Sequence, residues 1–176
     1  LDYLRGWLPG YEREALMHCH LSWHVALFAL ALGRTDEAWQ AYRSAVHPGG
    51  SWGPPLNVAT DAVSFLWRAE LAGTQPDPAQ WQALHTFAQA MFPRAGTAFA
   101  DWHMVLADAT AGDDAALSAR VAEIEALGGE AIANGAKAAV TGAYRKIETV
   151  SIKVDPGTVD KYIDQGLPIM WDMFST

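Results

Sequence analysis

The sequence predicts an all-α fold, a right-handed α-solenoid of three helix pairs followed by a small α/β C-terminal tail. Hydrophobic residues make up 51% of the chain and charged residues only 18%, which is typical of a folded domain with a large core. Apolar segments of helical length alternate with short breaks that contain Gly or Pro. Three of these breaks, at Gly33, Gly73 and Gly112, lie 40 and 39 residues apart. A repeat of about 40 residues is typical of helical solenoids.

The net charge, the apolar runs and the single cysteine argue against some kinds of partner and favour a cellular compartment. The 176 residues suffice for one sizeable core, and a net charge of −8 without a Lys/Arg cluster predicts no nucleic-acid partner. No apolar run reaches the roughly 18 residues that a membrane helix needs, so we expect no membrane partner. Cys19 is the single cysteine, which favours a reducing compartment, and without a visible secretory signal we expect a cytoplasmic protein. The chain begins at Leu1 rather than Met, so a fragment of a longer protein is an open alternative.

The predicted helices follow one another in pairs. Residues 15–32 are apolar nearly all round, which predicts a buried helix that ends at Gly33. Thr35 is the expected cap of the second helix, and acidic residues open its first turn. The same pattern recurs twice along the chain. The six predicted helices cover residues 15–32, 35–46, 58–72, 78–92, 97–111 and 113–127.

A repeated Trp-His pair supports this register. Trp23-His24 lies ten and nine residues before Gly33, and Trp102-His103 lies ten and nine residues before Gly112. The middle unit has Val63-Ser64 at the same place. Stacking the pairs would bury the apolar face that no single pair can bury alone.

The last part of the chain differs in composition. All four lysines lie after position 130, whereas seven of the eight tryptophans lie before it. We therefore divide the chain into a helical repeat domain at residues 1–130 and a small α/β tail at residues 131–176, either a capping segment or of separate origin. In the tail, Ile152 and Val154 alternate with polar residues, which predicts a strand, and Asp155-Pro156 is a favourable helix start.

Three segments of the first part carry a family resemblance. They read HLSWHVALFALALGRTDEAWQAY (20–42), DAVSFLWRAELAG (61–73) and AFADWHMVLADATAGDD (98–114). Over residues 15–128 or so, the chain resembles the tetratricopeptide repeat protein 38-like family. The resemblance implies an all-helical, TPR-like (tetratricopeptide repeat) fold, and it implies no established reaction.

A shorter segment of the tail resembles a second family. Residues 162–169, YIDQGLPI, are similar to the ID-x-G-x-P stretch of papain-like bacteriocin-processing peptidases. The resemblance implies that this stretch precedes a strand leading toward a catalytic His. Here no His follows Glu148 and no Cys follows Cys19, so the tail would be a fragment without the machinery of a protease.

Polar residues on the predicted first helix of each pair form the candidate site, which we call the polar stripe. His20 and His24 share a face because they are four residues apart, and Asp61 shares a face with Ser64. By register, we expect His24 to hydrogen-bond Asp61 or Ser64. Arg68, on the same stripe, needs either an internal acid or a carboxylate ligand. The full stripe is His20, His24, Asp61, Ser64, Arg68 and His103.

Each chemical interpretation of these residues has a structural alternative. His20 and His24 can supply two zinc ligands, with Asp61 or His103 as a third, but histidines held by Asp or Ser hydrogen bonds are favoured. Cys19 has a histidine on either side, yet consecutive helical residues point about 100° apart, which favours a buried thiol over a nucleophile.

Other polar and aromatic residues are assigned to structure. Asp108, Asp113 and Asp114 suggest acid–base chemistry, but the last two open a helix, where the dipole favours negative charge. The tryptophans are expected to serve core packing more than ligand binding.

These observations predict a non-catalytic scaffold that binds a protein or peptide in a groove lined by the polar stripe. No catalytic residue, metal or cofactor is assigned. The alternative is an enzyme or a metal-binding protein that uses the same stripe. A chimera whose tail caps the last repeat is a third alternative, and the partner and oligomeric state stay open.

Overall fold

The computed structural model describes residues 1–127, and these residues are mostly helical, with no strand among them. This confirms the all-α class for the described part of the chain. The predictions made for the tail at 131–176 lie outside the described residues. The helices are α1 (Asp2–Trp7), α2 (His18–Ala31), α3 (Thr35–Ala41), α4 (Pro55–Leu71), α5 (Pro78–Met91), α6 (Ala98–Ala111) and α7 (Asp114–Ala126).

The ends of the helices follow from local chemistry. Gly33, Gly73 and Gly112 have φ values of +70°, +83° and +75°, the left-handed conformation that ends a helix and that Gly adopts most easily. At the start of α5, the Asp77 carboxylate accepts from the Ala79 N–H at 2.9 Å, and the Gln80 side chain accepts from the Asp77 N–H at 3.0 Å. The positive φ values at Gly33, Gly73 and Gly112 confirm the three predicted helix ends.

Two local predictions need correction. Thr35 does not cap α3, because it is the first residue of that helix and Arg34 precedes it without a side-chain cap. The predicted single helix at 35–46 changes into a π-helical turn at Tyr42–Val46, where the His47 N–H donates to the Tyr42 carbonyl at 3.0 Å. The extra residue in this turn allows three of its side chains to be buried.

Helix α4 lies at the centre of the described helices. It packs against α2 on one side and α6 on the other, and it also contacts α5. α2 packs against α3, and α6 packs against α5 and α7. Fully buried alanines at Ala26, Ala29, Ala62, Ala69 and Ala107 form part of the core between these helices.

Larger side chains fill the rest of the core. Phe65 is completely buried, with its ring stacked on Tyr42 at 4.8 Å and meeting Trp39 edge-on at 5.1 Å. Trp23 and Trp81 are also buried, as the expected packing role requires, whereas Trp7 and Trp52 are exposed and do not fit it. No helix among the described residues is long and apolar enough to cross a membrane.

We expect Phe65→Ala to lower the free energy of unfolding by about 3–5 kcal/mol, because it leaves a cavity beside the rings of Trp39 and Tyr42. Chemical denaturation of the full chain measures this loss. Phe28→Ala is the matched control, since the Phe28 side chain is 44% exposed and its loss should cost less than about 1 kcal/mol. Equal losses in the two variants would contradict the described core.

Candidate functional site

The polar stripe is distributed over three helices that pack in series. α2 contacts α4, and α4 contacts α6. The burial of the side chains differs along the stripe, from almost complete for Asp61 and His103 to partial for His20. The stripe residues are His20 and His24 on α2, Asp61, Ser64 and Arg68 on α4, and His103 on α6.

The His20–Asp61 ion pair joins α2 to α4. The His20 Nδ1 lies 3.1 Å from both carboxylate oxygens of Asp61, and since a carboxylate only accepts, the imidazole donates. The hydrogen bond to Asp61 raises the pKa of His20 above its ordinary value, burial opposes this, and the negative charge of Asp61 adds to the increase. The pair therefore favours the charged imidazolium.

Cys19 shares the same carboxylate. Its Sγ is buried and lies 3.9 Å from Asp61 Oδ2 and 3.9 Å from the Val46 carbonyl oxygen. Burial, followed by the charge of Asp61, raises the pKa of the Cys19 thiol to about 12. A thiol held in its protonated form is a weak nucleophile, which agrees with the structural interpretation of this cysteine.

His103 lies on the other side of α4 and is held by its own helix. Its Nδ1 donates to the Phe99 carbonyl at 2.7 Å, and burial lowers the pKa of His103. The charges of Asp61 and Arg68 act in opposite directions on this pKa, so both lie within electrostatic range of the imidazole. Burial also lowers the pKa of the Arg68 guanidinium.

The prediction that His24 hydrogen-bonds Asp61 or Ser64 is wrong by one turn of α2. The imidazole that hydrogen-bonds Asp61 belongs to His20, one helical turn before His24. The buried Ser64 hydroxyl has no hydrogen-bond partner in the described part of the chain, so the predicted bond from His24 to Ser64 is absent. The His24 ring instead meets His20 edge-on at 4.8 Å and contacts Trp23 at 4.7 Å.

A metal centre was the alternative use of these residues. Among residues 1–127, no group of three or more His, Cys, Asp or Glu side chains is arranged so that it could hold a metal ion. The His20 nitrogen that faces the stripe is already engaged by Asp61.

A second ionic cluster lies on α5, α6 and α7, centred on Asp108. The Asp108 side chain is fully buried and accepts from Gln89 Nε2 at 2.7 Å and from Arg120 Nε at 3.1 Å. His85 Nε2 lies 3.3 Å from Asp108 Oδ1, although outside hydrogen-bond geometry. Asp108 therefore links the three helices through one carboxylate.

Arg120 completes this cluster. Its Nη2 donates to the Phe92 carbonyl at 2.7 Å, and its Nη1 lies 3.6 Å from Asp101 Oδ1. A buried ion pair of this kind contributes little net stability, but loss of one partner leaves an uncompensated charge. The cluster is structural in character, because its side chains are almost completely shielded from water.

The Asp108 cluster was not among the sequence predictions, although the sequence contains a signal for it. Arg120 lies on the same face of α7 as Leu117 and Ile124, three and four residues away, so a charge interrupts an apolar face. Such a charge requires a buried partner, which Asp108 and Asp101 supply. The helix-start role expected for Asp113 is confirmed by the Ala116 N–H, which donates to its carboxylate at 2.9 Å.

We expect Asp61→Asn to lower the pKa of His20 relative to the wild type, because the variant removes the charge that holds the imidazolium. Titration of the imidazole C–H signals by NMR measures this change. Asp36→Asn, an exposed carboxylate of α3, is the control and should leave His20 unaffected. An unchanged His20 titration in Asp61→Asn would contradict the ion pair.

The same pair predicts a pH dependence of stability. Folding raises the pKa of His20. The contribution of the ion pair to the free energy of unfolding is therefore fully present below the pKa of an unfolded histidine, about 6.5. This contribution is lost as the pH rises through the pKa of His20 in the folded protein. The difference in unfolding free energy between wild type and His20→Gln should therefore shrink with increasing pH. A difference that grows with pH would have the wrong sign for this pair.

We expect Asp108→Ala to lower the unfolding free energy by about 3–5 kcal/mol, because Arg120 would remain buried without its closest carboxylate. Asp114→Ala, an exposed residue in the first turn of α7, should cost about 0.3–1 kcal/mol. Chemical denaturation of both variants provides the comparison. A loss for Asp108→Ala no larger than for Asp114→Ala would show that the cluster is not an energetic unit.

Comparison with known proteins adds no further constraint on this site. No family model, no curated protein and no solved structure matches the chain. The resemblance to the tetratricopeptide repeat protein 38-like family and that of the tail to a peptidase segment therefore stay predictions. The function must be inferred from the side-chain contacts of the helices.

Proposed function

We propose that the protein is a non-catalytic, TPR-like helical-repeat scaffold that binds a protein or peptide on the face that carries the polar stripe. The packing of the helices supports the repeat arrangement. α2 packs on α3, α4 on α5 and α6 on α7, while the first helices α2, α4 and α6 contact one another in series. Contacts within each pair and between neighbouring pairs are what a solenoid of three pairs requires.

The His20–Asp61 ion pair is the observation that carries the proposal. The pair is partly exposed on its imidazole side, where the side chain of His20 retains 32% of its accessible surface. Buried ion pairs add little to stability compared with apolar residues of similar size. A charged pair kept at the junction of two consecutive helices, with Arg68 and His103 in electrostatic range, is better explained by recognition of a polar ligand.

The chemistry of the stripe favours a ligand that carries carboxylates. Arg68 is half-buried, and burial lowers its pKa, so its guanidinium is partly desolvated. A desolvated guanidinium forms strong, two-pronged hydrogen bonds with carboxylates. We therefore propose an acidic peptide segment as the partner.

The enzyme alternative has weaker support. Nucleophilic catalysis needs a thiolate, whereas the pKa of Cys19 is raised to about 12. Among the groups whose contacts are described above, acid–base catalysis would have to use the partly exposed His20, because both Asp61 oxygens are engaged by His20 and His103 Nδ1 donates to its own helix. The buried single cysteine is consistent with a reducing compartment, and we propose the cytoplasm.

Selection from a displayed library of random peptides of about 12 residues tests this function with the full chain. We expect enriched peptides to contain Asp or Glu, and Arg68→Gln to weaken their binding about tenfold or more, as measured by fluorescence anisotropy. Arg43→Gln is the control, since Arg43 is an exposed arginine outside the stripe. Failure to enrich any peptide, or equal binding by the two variants, would refute the proposal.

A further inference from the structure

A second candidate binding site lies away from the polar stripe, in an open cleft of about 440 Å³. The N-terminal segment forms one wall through Arg5, Leu8 and Arg13, and helices α2 and α3 form the other. This volume is within the range of about 300–1,000 Å³ that is typical of small-molecule sites.

The cleft and the stripe occupy opposite faces of α2. His18, Ser22 and Val25 line the cleft, whereas His20 and His24 belong to the stripe. At about 100° per residue, the centres of these two groups are roughly 200° apart around the helix. A ligand in the cleft would therefore not compete directly with one on the stripe.

The charges that line the cleft are predominantly positive, although the chain as a whole carries −8. Arg5 and Arg13 supply two guanidinium groups, and the lining carboxylate is that of Glu37. Glu37 Oε2 lies 3.3 Å from Arg5 Nη1 and 3.9 Å from Arg34 Nη1, so two guanidinium groups share this carboxylate. The side chains that line this concave surface therefore carry a net positive charge.

Arg13 is fixed in position without losing its charge. Its Nη2 donates to the carbonyl oxygens of Ser44 and Gly50, both at 2.6 Å. Carbonyl oxygens are neutral, so these bonds orient the guanidinium at the edge of the cleft and leave its positive charge uncompensated. An arginine oriented in advance loses less entropy when an anion binds.

We infer that this cleft binds an organic anion with one carboxylate and a short apolar body. The carboxylate is recognised by Arg5 and Arg13, and the body packs against Leu8 and Val25. A free organic acid and the C-terminus of a peptide present the same carboxylate. The inference concerns a different face from the proposed peptide-binding stripe and stands independently of it.

NMR titration of the full chain with 4-phenylbutanoate and its neutral counterpart 4-phenylbutanamide tests the site. We expect the acid to shift the backbone amides of Ser22, Gln40 and Ser44 and to bind about tenfold more tightly than the amide. The tripeptide Ala-Leu-Phe with a free or amidated C-terminus is the second pair of probes. Tighter binding of the free tripeptide identifies a peptide terminus as the source, and tighter binding of phenylbutanoate identifies a small acid.

Two charge variants separate a binding role from a structural one. Arg5→Gln should weaken binding of the acid about tenfold, whereas Glu37→Gln should strengthen it several-fold, because it removes the carboxylate that competes for Arg5. Arg43→Gln, which does not line the cleft, should change nothing. Equal binding of acid and amide, absence of shifts at the cleft, or weaker binding in Glu37→Gln would overturn the inference.

Discussion

Helix α4 is buried on every side along Val58–Leu66, and this constraint determines much of the arrangement around it. A helix in the interior cannot leave its polar groups to water, so a buried polar group that finds no partner costs free energy. Thr60 satisfies its hydroxyl on carbonyls of its own helix. Asp61 cannot do so, and its carboxylate is instead contacted by His20 and Cys19 of α2. The placement of α2 thus depends on a polar contact as well as on apolar packing.

Two buried aspartates, one on α4 and one on α6, have different surroundings. Asp61 on α4 is paired with a histidine whose side chain is still partly exposed, whereas Asp108 on α6 is paired with Arg120, which is almost completely buried. The imidazole of the first pair is partly accessible to solvent. The second is enclosed by three helices and holds them together. Burial, rather than residue type, distinguishes a candidate site from a structural element here.

The parts of the fold that depend on local chemistry were predictable from the sequence. Gly33, Gly73 and Gly112 end helices because few other residues adopt a positive φ, and this requirement is visible in the chain itself. The contact of Asp61 with His20 rather than His24 was not predictable, because aligned repeats do not specify how far one helix slides along its neighbour. Arg120 indicates that α7 needs a buried acidic partner, but the choice of Asp108, and the contact of Asp108 with Gln89, depend on the same sliding. The π-helical turn is stabilised by burial of its side chains, which only the assembled core provides.

The three glycine turns also affect how the chain tolerates change. A side-chain carbon added at Gly33, Gly73 or Gly112 would meet no heavy atom of residues 1–127 within 4 Å, so the backbone conformation is the main constraint on each turn. Lengthening a surface connection costs little entropy, and exposed loop tips are where insertions are accepted. A reporter domain or a protease site can therefore be inserted at these turns without altering the packed faces of the helices.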